Sequence, residues 1–395
     1  MIWTALFLFI SLSTSRNYAK VIESSNSEQD TVQMDSSAEL SCGIWLAPST
    51  IPGAGLGMYA GKAFSKGDFL QDVGDLVIPI VDIEEHAEAY SEEKWDFLWD
   101  EYTWNAENLH MNTEGSWTVN SASPGFGAAA NSFLGIYNVE EYLPHVDMTG
   151  LHRAMDPGAG AFTPYYDRKS AAIRDIEVGE ELFVSYGENW FESRSHFGPI
   201  PLFNELDTAT DLARTFHRLC RDVNLSEDAQ ADLWGTFIQN SEFTDSRVFG
   251  AFSHNDVNEV KKLKTLSLKE LRILQSTKTL DWLRLHGTCG DHIVAGPSTL
   301  RQAGHGGFAS RDLPKGTVVS HLPLIHVTNR DRLLMYNMEA DGNPDKDLGV
   351  LGKQLLLNYC FGHKDSSLLL CPYGPMTNYA NHNVTSANVE IRWAD

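Results

Sequence analysis

An internal repeat constrains the fold of this chain more than any other feature. The segment PSTIPGAGLGMYA at Pro48 to Ala60 returns as PSTLRQAGHGGFA at Pro297 to Ala309, identical at seven of thirteen positions and displaced by 249 residues. A second pair, ANSFLGIYNVE at 130–140 and ANHNVTSANVE at 380–390, is displaced by 250 residues. Because two separate blocks keep nearly one offset, the sequence predicts two copies of one domain.

The two copies are expected to differ at their carboxyl ends. The first continues into RDIEVGEELFVSYG at Arg174 to Gly187, whose counterpart would fall beyond residue 395. The second copy is therefore predicted to be incomplete, either as a truncated gene product or because only its front half is retained. The predicted division is a targeting segment at 1–19, a flexible lead-in at 20–41, a first domain at 42–200, a helical segment at 204–286 and a second domain at 288–395.

Local patterns give each part a different expected structure. Both repeat regions contain short β-branched and apolar runs between glycines, which predicts short strands joined by turns. The stretch from Asp82 to Trp104 instead carries Tyr90, Trp95, Leu98 and Trp99 at helical spacing, which indicates a helical insertion in the first domain.

The segment at 204–286 is predicted to be helical with one break. Ser267 and Glu270 form a capping box ahead of an apolar run, and Asn224 marks the break. The basic stretch from Lys261 to Arg272 is predicted to be a solvated helix face. Apolar residues expected to face the core recur at helical spacing: Leu212, Phe216, Leu219, Leu233 and Phe237.

The charge balance excludes one class of partner. Lys and Arg total 30 against 53 Asp and Glu, for a formal net charge of −23. Such a field repels phosphate, so we expect no nucleic-acid partner. Acidity of this kind attracts a lysine-rich protein or peptide, although it is also a common solubility feature.

The amino terminus carries an apolar run at Ile2 to Leu12, typical of a signal-peptide core. The alternative is a buried amino-terminal strand. The run is too short to span a bilayer, and we predict no transmembrane span elsewhere. Asn224 and Asn383 begin glycosylation triplets that would be used only in a secretory lumen.

The five cysteines lie far apart, with no CxxC or CxC spacing. This distribution favours neither a zinc cluster nor a disulfide framework, so no metal site is expected. The histidines likewise form no metal-ligand spacing.

Three blocks of the first copy together resemble a known family. GxG at Gly55 and Gly57, an asparagine-centred turn at Asn131 and GEELFVSYG at Gly179 to Gly187 are similar to the SET domain, the S-adenosylmethionine-dependent protein-lysine methyltransferase fold. The resemblance implies a mainly β SET domain (β-clip) with a helical insertion, then the helical segment, then a second, incomplete SET-like domain. It covers roughly 42–191 in the first copy and 289–395 in the second.

The resemblance also implies roles for individual residues. Gly55, Leu56, Gly57 and Asn131 would bind the amino-acid part of S-adenosylmethionine, and Tyr186 would bind cofactor and orient the reacting lysine. Taken alone, the GxG block is equally compatible with an ordinary glycine turn, and Asn131 with a turn cap. Glu181 is interpreted as structural, paired with a backbone or basic group.

A narrow aromatic channel for the lysine stem is expected from the same family, because aromatic faces attract ammonium groups. The candidates are Phe162, Tyr165, Tyr166, Trp190 and Phe191. In the second copy the cofactor-like positions are Gly304, Gly306, Asn381 and His382. The family pairs its asparagine with histidine, whereas the first copy has Ser132 after Asn131.

The expected function is methyl transfer from S-adenosylmethionine to a protein lysine, carried by the first domain. The alternatives are a pair of non-catalytic modules that bind proteins or peptides, and one composite site shared by both copies. If the leader is real, the protein enters the secretory pathway or an organelle such as a plastid. Otherwise it is nuclear or cytoplasmic.

Overall fold

The fold combines small antiparallel sheets with a group of helices. A computed structural model describes residues 7–12, 42–81, 102–105, 119–142, 144–146, 163, 165–239, 245–252, 257–300, 303–327, 330–338, 344–362 and 369–393. The lead-in at 20–41 and nearly all of the predicted helical insertion lie outside these residues. At the end of that insertion Trp104 lies in a strand, not in a helix.

The first predicted domain is built from short strands, as its glycine-punctuated sequence indicates. These are β2 (Ile44–Pro48), β3 (Leu56–Ala60), β4 (Asp75–Val81), β5 (Trp104–Asn105), β6 (Val119–Ala122), β7 (Val139–Glu141), β8 (His145–Val146), β9 (Tyr165–Arg168), β10 (Ser170–Ala172) and β11 (Glu181–Leu182). A further strand, β12 (Thr288–Cys289), pairs with β2. The sheets have the orders β11-β3-β2-β12, β10-β7 and β5-β6-β4-β9-β8.

Strand β3 is covered on both faces, which explains its unbroken apolar composition. Successive side chains of a strand point to opposite sides. Met58 and Ala60 therefore enter one core, whereas Tyr59 enters another, beside Trp45 and Leu283. All three β3 side chains are fully buried. This strand is consequently the rigid centre of the first domain.

Helices fill the middle of the chain, which confirms the helical prediction for 204–286. In the described residues they are α1 (Phe126–Ala129), α2 (Glu188–Glu192), α3 (Phe203–Asp222), α4 (Glu227–Gln239), α5 (Ser246–Gly250), α6 (Val257–Lys262), α7 (Leu268–Gln275) and α8 (Leu280–His286). The break after α3 has Asn224 at a positive φ of 53°. The capping box is also confirmed, since the Ser267 hydroxyl accepts from Glu270 N–H and Glu270 accepts from Ser267 N–H.

The predicted core faces of α3 and α4 were partly wrong. Leu219, Leu233 and Phe237 are exposed. Phe216 is buried as expected, and Trp234, which follows Leu233 in the sequence, is fully buried. Alanines and a cysteine supply much of the buried stripe of α3, and the largest side chain of α4 decides which face turns inward. This helical core also takes in Ile136 of the first domain.

One residue of the basic stretch is not solvated. Arg272 is buried and forms an ion pair with Glu259 at 2.5 Å. It also donates to the carbonyl oxygen of Ala251. A buried cation needs such partners because its desolvation is costly, so Arg272 ties α7 to α5 and α6 instead of facing water.

The second predicted domain repeats the use of short antiparallel strands. They are β13 (Ile293–Pro297), β14 (His305–Ala309), β15 (Val318–Val327), β16 (Leu334–Met338), β17 (Pro344–Lys353), β18 (Phe361–Gly362), β19 (Leu369–Pro372) and β20 (Val389–Trp393). Four 3₁₀ helices are described in the chain, at Ser195–Phe197, Arg330–Leu333, Leu355–Tyr359 and Thr377–Tyr379.

The described part of the apolar amino-terminal run forms a strand, β1 (Phe7–Leu12), inside a sheet of the second predicted domain. The sheet order is β18-β19-β15-β1-β20. Ser11 of β1 is paired with Val318 on one side and with Glu390 on the other. Of the two readings of this run, the structure has the strand, and the signal peptide stays a prediction.

The two predicted domains share a core. Ile78 and Ile80 of β4 pack in the same buried cluster as Ile325 and Val327 of β15. Tyr379 also donates its hydroxyl to the carbonyl oxygen of Gly74 at 2.9 Å. Burial of apolar surface on β4 and β15 therefore joins the two predicted domains.

A disulfide joins Cys42 to Cys289, a single bond that the spacing of the cysteines did not predict. They are 247 residues apart, and only the antiparallel pairing of β12 with β2 brings them together. Asp291 lies close enough to both sulfurs to suggest a metal-binding group. Because the sulfurs are bonded to each other, they offer no thiolate ligands. No helix among the described residues has the length and apolar character needed to cross a membrane.

Candidate functional site

The three blocks of the first domain meet at one crossing. Asn131 forms a parallel bridge with Phe183, immediately after β11. Its side-chain amide donates to the carbonyl oxygen of Leu56 at 2.9 Å, at the start of β3. Leu56, Asn131 and the strand that leads to Tyr186 are therefore adjacent in space.

The two glycines of the GxG block serve different purposes. Gly55 has a φ of +75°, which favours glycine in the turn before β3. Gly57 has ordinary backbone angles, but a Cβ there would lie 2.2 Å from Glu181 Oε1 and 3.3 Å from Asn131 Nδ2. Gly57 is thus required by close packing at the crossing.

The atom that crowds Gly57 belongs to a fully buried carboxylate. Glu181 accepts from the Ser49 hydroxyl at 2.6 Å, from Thr50 N–H at 2.8 Å and from the Thr50 hydroxyl at 2.5 Å. Weaker bonds come from Asn131 Nδ2 and the Tyr59 hydroxyl, both at 3.3 Å. These neutral donors satisfy a charge that would otherwise be costly to bury.

Tyr59 is held as a donor by its surroundings. Burial and then the neighbouring Glu181 carboxylate raise the pKa of Tyr59 far above its ordinary value. Its hydroxyl also donates to the carbonyl oxygen of Pro48 at 2.6 Å. The turn, β3 and β11 are thus connected by one hydrogen-bond network centred on Glu181.

Tyr186 follows this network and is half-buried. Its hydroxyl donates to the carbonyl oxygen of Ala130 at 2.8 Å, next to the crossing asparagine. Its backbone N–H donates to the Ser132 hydroxyl at 3.2 Å. Both contacts hold the phenol against the Asn131 crossing, so the position of the ring is determined by the same residues that position Gly57.

Three aromatic side chains surround the Tyr186 ring. Trp104 and Trp190 are in edge-to-face contact with it at centroid distances of 5.6 and 5.0 Å, and Phe191 is stacked at 6.5 Å. The Arg194 guanidinium also lies over Trp190, with its carbon 4.0 Å from the Trp190 ring centroid. We call Trp104, Tyr186, Trp190 and Phe191 the aromatic group. Its faces can bind an alkylammonium by cation–π attraction, as Trp190 binds Arg194.

The predicted channel residues are distributed over several places. Trp190 and Phe191 belong to the aromatic group. Tyr165 is fully buried in β9, and burial raises its pKa to about 12. Tyr166 packs on the His305 ring of the second domain at 4.4 Å. Phe162 lies outside the described residues.

Sequence reasoning missed Trp104 and Ser132 as site residues. Trp104 was read as the end of a helical insertion, whereas pairing of β5 with β6 brings it to Tyr186. Ser132 was noted only as a departure from histidine, yet its hydroxyl binds the Tyr186 backbone. Glu181 was read as structural, and its observed partners are hydroxyls, one N–H and an amide.

A cleft of about 210 Å³ opens beside the aromatic group. Phe191, Leu134 and Ile200 line its apolar part. Arg247 lines the other part and pairs with Glu188 at 2.6 Å and Glu192 at 3.1 Å. Phe191 therefore connects the cleft to Tyr186.

The second domain has a similar crossing with a more open structure. Asn381 Nδ2 donates to the carbonyl oxygen of His305 at 2.9 Å and contacts the Ser298 hydroxyl at 3.1 Å. Gly304 has a φ of +62°, and a Cβ at Gly306 would lie 3.2 Å from Asn381 Nδ2. Three cofactor-like positions thus meet, whereas His382 is exposed.

No protein-family model and no curated protein matches the chain. Among solved structures, a Plasmodium falciparum protein assigned as a histone methyltransferase is 18% identical, covering 38% of this chain and 97% of that chain with a TM-score of 0.24. Chaetomium thermophilum Polycomb Repressive Complex 2 bound to S-adenosylmethionine is 18% identical, covering 40% of this chain and 17% of that chain with a TM-score of 0.23. The chain thus spans less than a fifth of the Polycomb chain. At TM-scores this low, we infer function from the residues and their contacts alone.

Proposed function

We propose that the first domain transfers a methyl group from S-adenosylmethionine to a lysine side chain of a protein. The observation that carries this proposal is the position of the Tyr186 phenol, which is bonded to the Asn131 crossing and enclosed by the aromatic group. Such a site combines a cofactor-facing backbone with aromatic faces for the lysine stem. The three sequence blocks that resemble a SET domain supply the backbone and Tyr186, and the other members of the aromatic group lie outside these blocks.

The residues present fit the amino-acid end of this cofactor. A Cβ added at Gly55 would meet no atom within 4 Å, so the turn before Leu56 leaves open space beside its backbone. The Asn131 amide donates to Leu56 O, so it is the open space beside the Gly55 turn that is left for a ligand. Gly55, Leu56 and Asn131 would hold the cofactor there.

When bound, the cofactor would supply a methyl group on sulfonium sulfur, whose carbon an amine would attack in line, with the C–N bond forming as the C–S bond breaks and the sulfur leaving with the electron pair as a thioether. The Tyr186 oxygen can accept a hydrogen bond from the amine while its own O–H continues to donate to Ala130 O. Trp104 and Trp190 exclude water and align the stem. The amine loses its proton to water.

One observation favours a non-catalytic binding module as the second candidate. The Asn131 amide is directed inward, to Leu56 O and Glu181, and Ser132 binds the Tyr186 backbone in place of the family's histidine. Both residues then act as structural parts of the crossing. A site of this kind would bind a lysine-bearing peptide on the aromatic group without cofactor.

We also propose that the chain is a duplicated domain. The support is a set of matching hydrogen bonds: Ser49 N–H to Gly55 O and Ser298 N–H to Gly304 O, at 2.9 and 2.8 Å. The Cys42–Cys289 disulfide in turn supports the proposal that the chain folds in an oxidising compartment such as the secretory lumen.

Methyl transfer is tested with the full chain, methyl-labelled S-adenosylmethionine and a mixture of lysine-rich proteins. We expect Tyr186→Phe to lower the rate of labelling at least about tenfold, which corresponds to losing about 1.4 kcal/mol of transition-state stabilisation. Binding of the cofactor to this variant, measured by calorimetry, should persist. Tyr142→Phe, which changes an exposed tyrosine outside the site, serves as the matched control. Absence of cofactor binding at millimolar concentration would exclude catalysis and leave the binding module.

A further inference from the structure

The hairpin of the second domain has a sheet edge that its counterpart lacks. Strands β13 and β14 pair in the register Ile293 with Ala309 and Pro297 with His305, as β2 and β3 pair Ile44 with Ala60. The far side of β3 is closed by β11, with Glu181 opposite Tyr59. In the part of the chain that the structure describes, no strand pairs with the far side of β14.

The backbone at this edge is exposed. Gly307, Phe308 and Ala309 are all accessible to solvent. In the first domain Ala60, at the register position of Ala309, donates its N–H to Glu180 O at 2.9 Å and accepts from Gly179 N–H at 2.7 Å. By the same register, Ala309 presents its N–H and C=O away from β13. An edge of this kind accepts an added strand.

A set of side-chain donors stands at the same edge. Ser298 accepts from Leu300 N–H at 3.0 Å, as Ser49 accepts from Ile51 N–H at 3.0 Å. Asn381 Nδ2 bonds His305 O, as Asn131 Nδ2 bonds Leu56 O.

Between Ser49 and Asn131 the first domain holds the Glu181 carboxylate. Between Ser298 and Asn381 there is no carboxylate among the described residues, and the two side chains contact each other directly.

Thr50, the third residue that donates to Glu181, also has a counterpart in the second domain. Thr50 gives both its N–H and its hydroxyl to Glu181, and Thr299 occupies the same place in the repeat. Thr299 is exposed, and Asn381 is exposed as well. Ser298, Thr299 and Asn381 thus have the donor composition that holds a glutamate in the first domain. Tyr59 is replaced by Phe308, whose exposed ring offers apolar contact instead of a hydroxyl.

Another strand of the second domain already comes from a distant part of the chain. In the first domain Ala171 of β10 pairs with Glu140 and bridges Phe69. At the corresponding place Ser11 of β1 pairs with Glu390 and Val318. The pairing positions that β10 takes in the first domain are thus taken by β1 in the second, and the position of β11 beside β3 corresponds to the open edge of β14.

We propose that β14, with Ser298, Thr299 and Asn381, is a docking site for an extended peptide segment that adds as an antiparallel strand and places a glutamate carboxylate between Ser298 and Asn381. The occupant has the chemistry of the Gly-Glu-Glu-Leu strand that closes the first domain. Backbone bonds to Ala309 supply affinity, and the charge-assisted bonds to the carboxylate supply selectivity. The site uses no residue of the proposed methyl-transfer centre, so it holds whether or not that chemistry occurs.

The probe is a fluorescein-labelled peptide with the sequence of residues 175–185, DIEVGEELFVS, titrated with the full chain and followed by fluorescence anisotropy. A second peptide carries Glu181→Gln. We expect saturable binding of the first peptide and at least about tenfold weaker binding of the second, since one charge-assisted hydrogen bond is worth that factor. The peptide pair requires no change in the folded chain.

Three protein variants locate the site. Ser298→Ala is expected to weaken binding of the glutamate peptide and to remove the preference over the glutamine peptide. Ser310→Ala, at the opposite end of β14, is the matched control and should bind like the unmodified chain. Equal affinity for the two peptides, no binding, or weakening by Ser49→Ala but not by Ser298→Ala would overturn the proposal. The last result would mean that the peptide replaces β11 instead.

Discussion

Replacing Glu181 with glutamine tests whether the crossing depends on a buried charge. The carboxylate accepts hydrogen bonds on both oxygens, from Ser49 and Asn131 on one and from Thr50 and Tyr59 on the other. A glutamine has one acceptor oxygen, so its amide NH₂ must face either Asn131 Nδ2 or Thr50 N–H. In either orientation donors face donors.

The expected cost follows from the number of bonds that are lost. A hydrogen bond to a charged group contributes about 1.5–3 kcal/mol, and two of the bonds to Glu181 cannot form with glutamine, so the free energy of unfolding should fall by about 3–6 kcal/mol. The matched control is Glu177→Gln, an exposed glutamate in the same turn. It should change stability by less than about 0.5 kcal/mol.

Urea unfolding of the full chain, followed by circular dichroism, measures both variants. Hydrogen exchange of the β3 amides reports the local effect, because β3 lies between Glu181 and β2. A Glu181→Gln chain as stable as the Glu177→Gln control would refute the view that the carboxylate organises the crossing.

Three further changes test other parts of the fold. Burial raises the pKa of Asp75 to about 7 from its usual 3.8, so the folded state prefers the protonated carboxyl. The free energy of unfolding should therefore fall by up to about 4 kcal/mol as the pH rises from 4 to 7, and then level off. Asp75→Asn should remove this pH dependence in urea titrations at several pH values. Cys289→Ser should lower stability by at most about 5 kcal/mol, and added reductant should then cause no further loss in the same titration. Trp234→Ala should cost about 3–5 kcal/mol in thermal unfolding, whereas Leu233→Ala next to it should cost less than about 0.5 kcal/mol.

The parts of the site that were predictable are those carried by contiguous motifs. Gly55, Leu56 and Gly57 are adjacent in sequence, and the repeat shows independently that their block and the Asn131 block belong together. Helices were predictable for a similar reason, because capping and apolar spacing are local. Ser267 and Glu270 specify a helix start without reference to the rest of the chain.

The parts that escaped prediction depend on which segments pair at long range. Trp104 reaches Tyr186 only because β5 pairs with β6, and Cys42 meets Cys289 only because β12 pairs with β2. The face of α4 was misassigned because Trp234 lies one residue from Leu233, and packing selects the larger ring. None of these pairings leaves a periodic signal in the sequence.

The second domain contributes to the first site whether or not it binds a ligand of its own. Strand β12 is the fourth strand of the sheet that contains β3, and the Cys42–Cys289 disulfide fastens it there. On the opposite side His305 packs on Tyr166, which belongs to the sheet that also carries Trp104. Loss of the second domain would therefore disturb both β3 and the wall of the aromatic group. A defect in activity after its deletion would report lost support, so a shared site must be tested with point variants such as Asn381→Ala in the full chain.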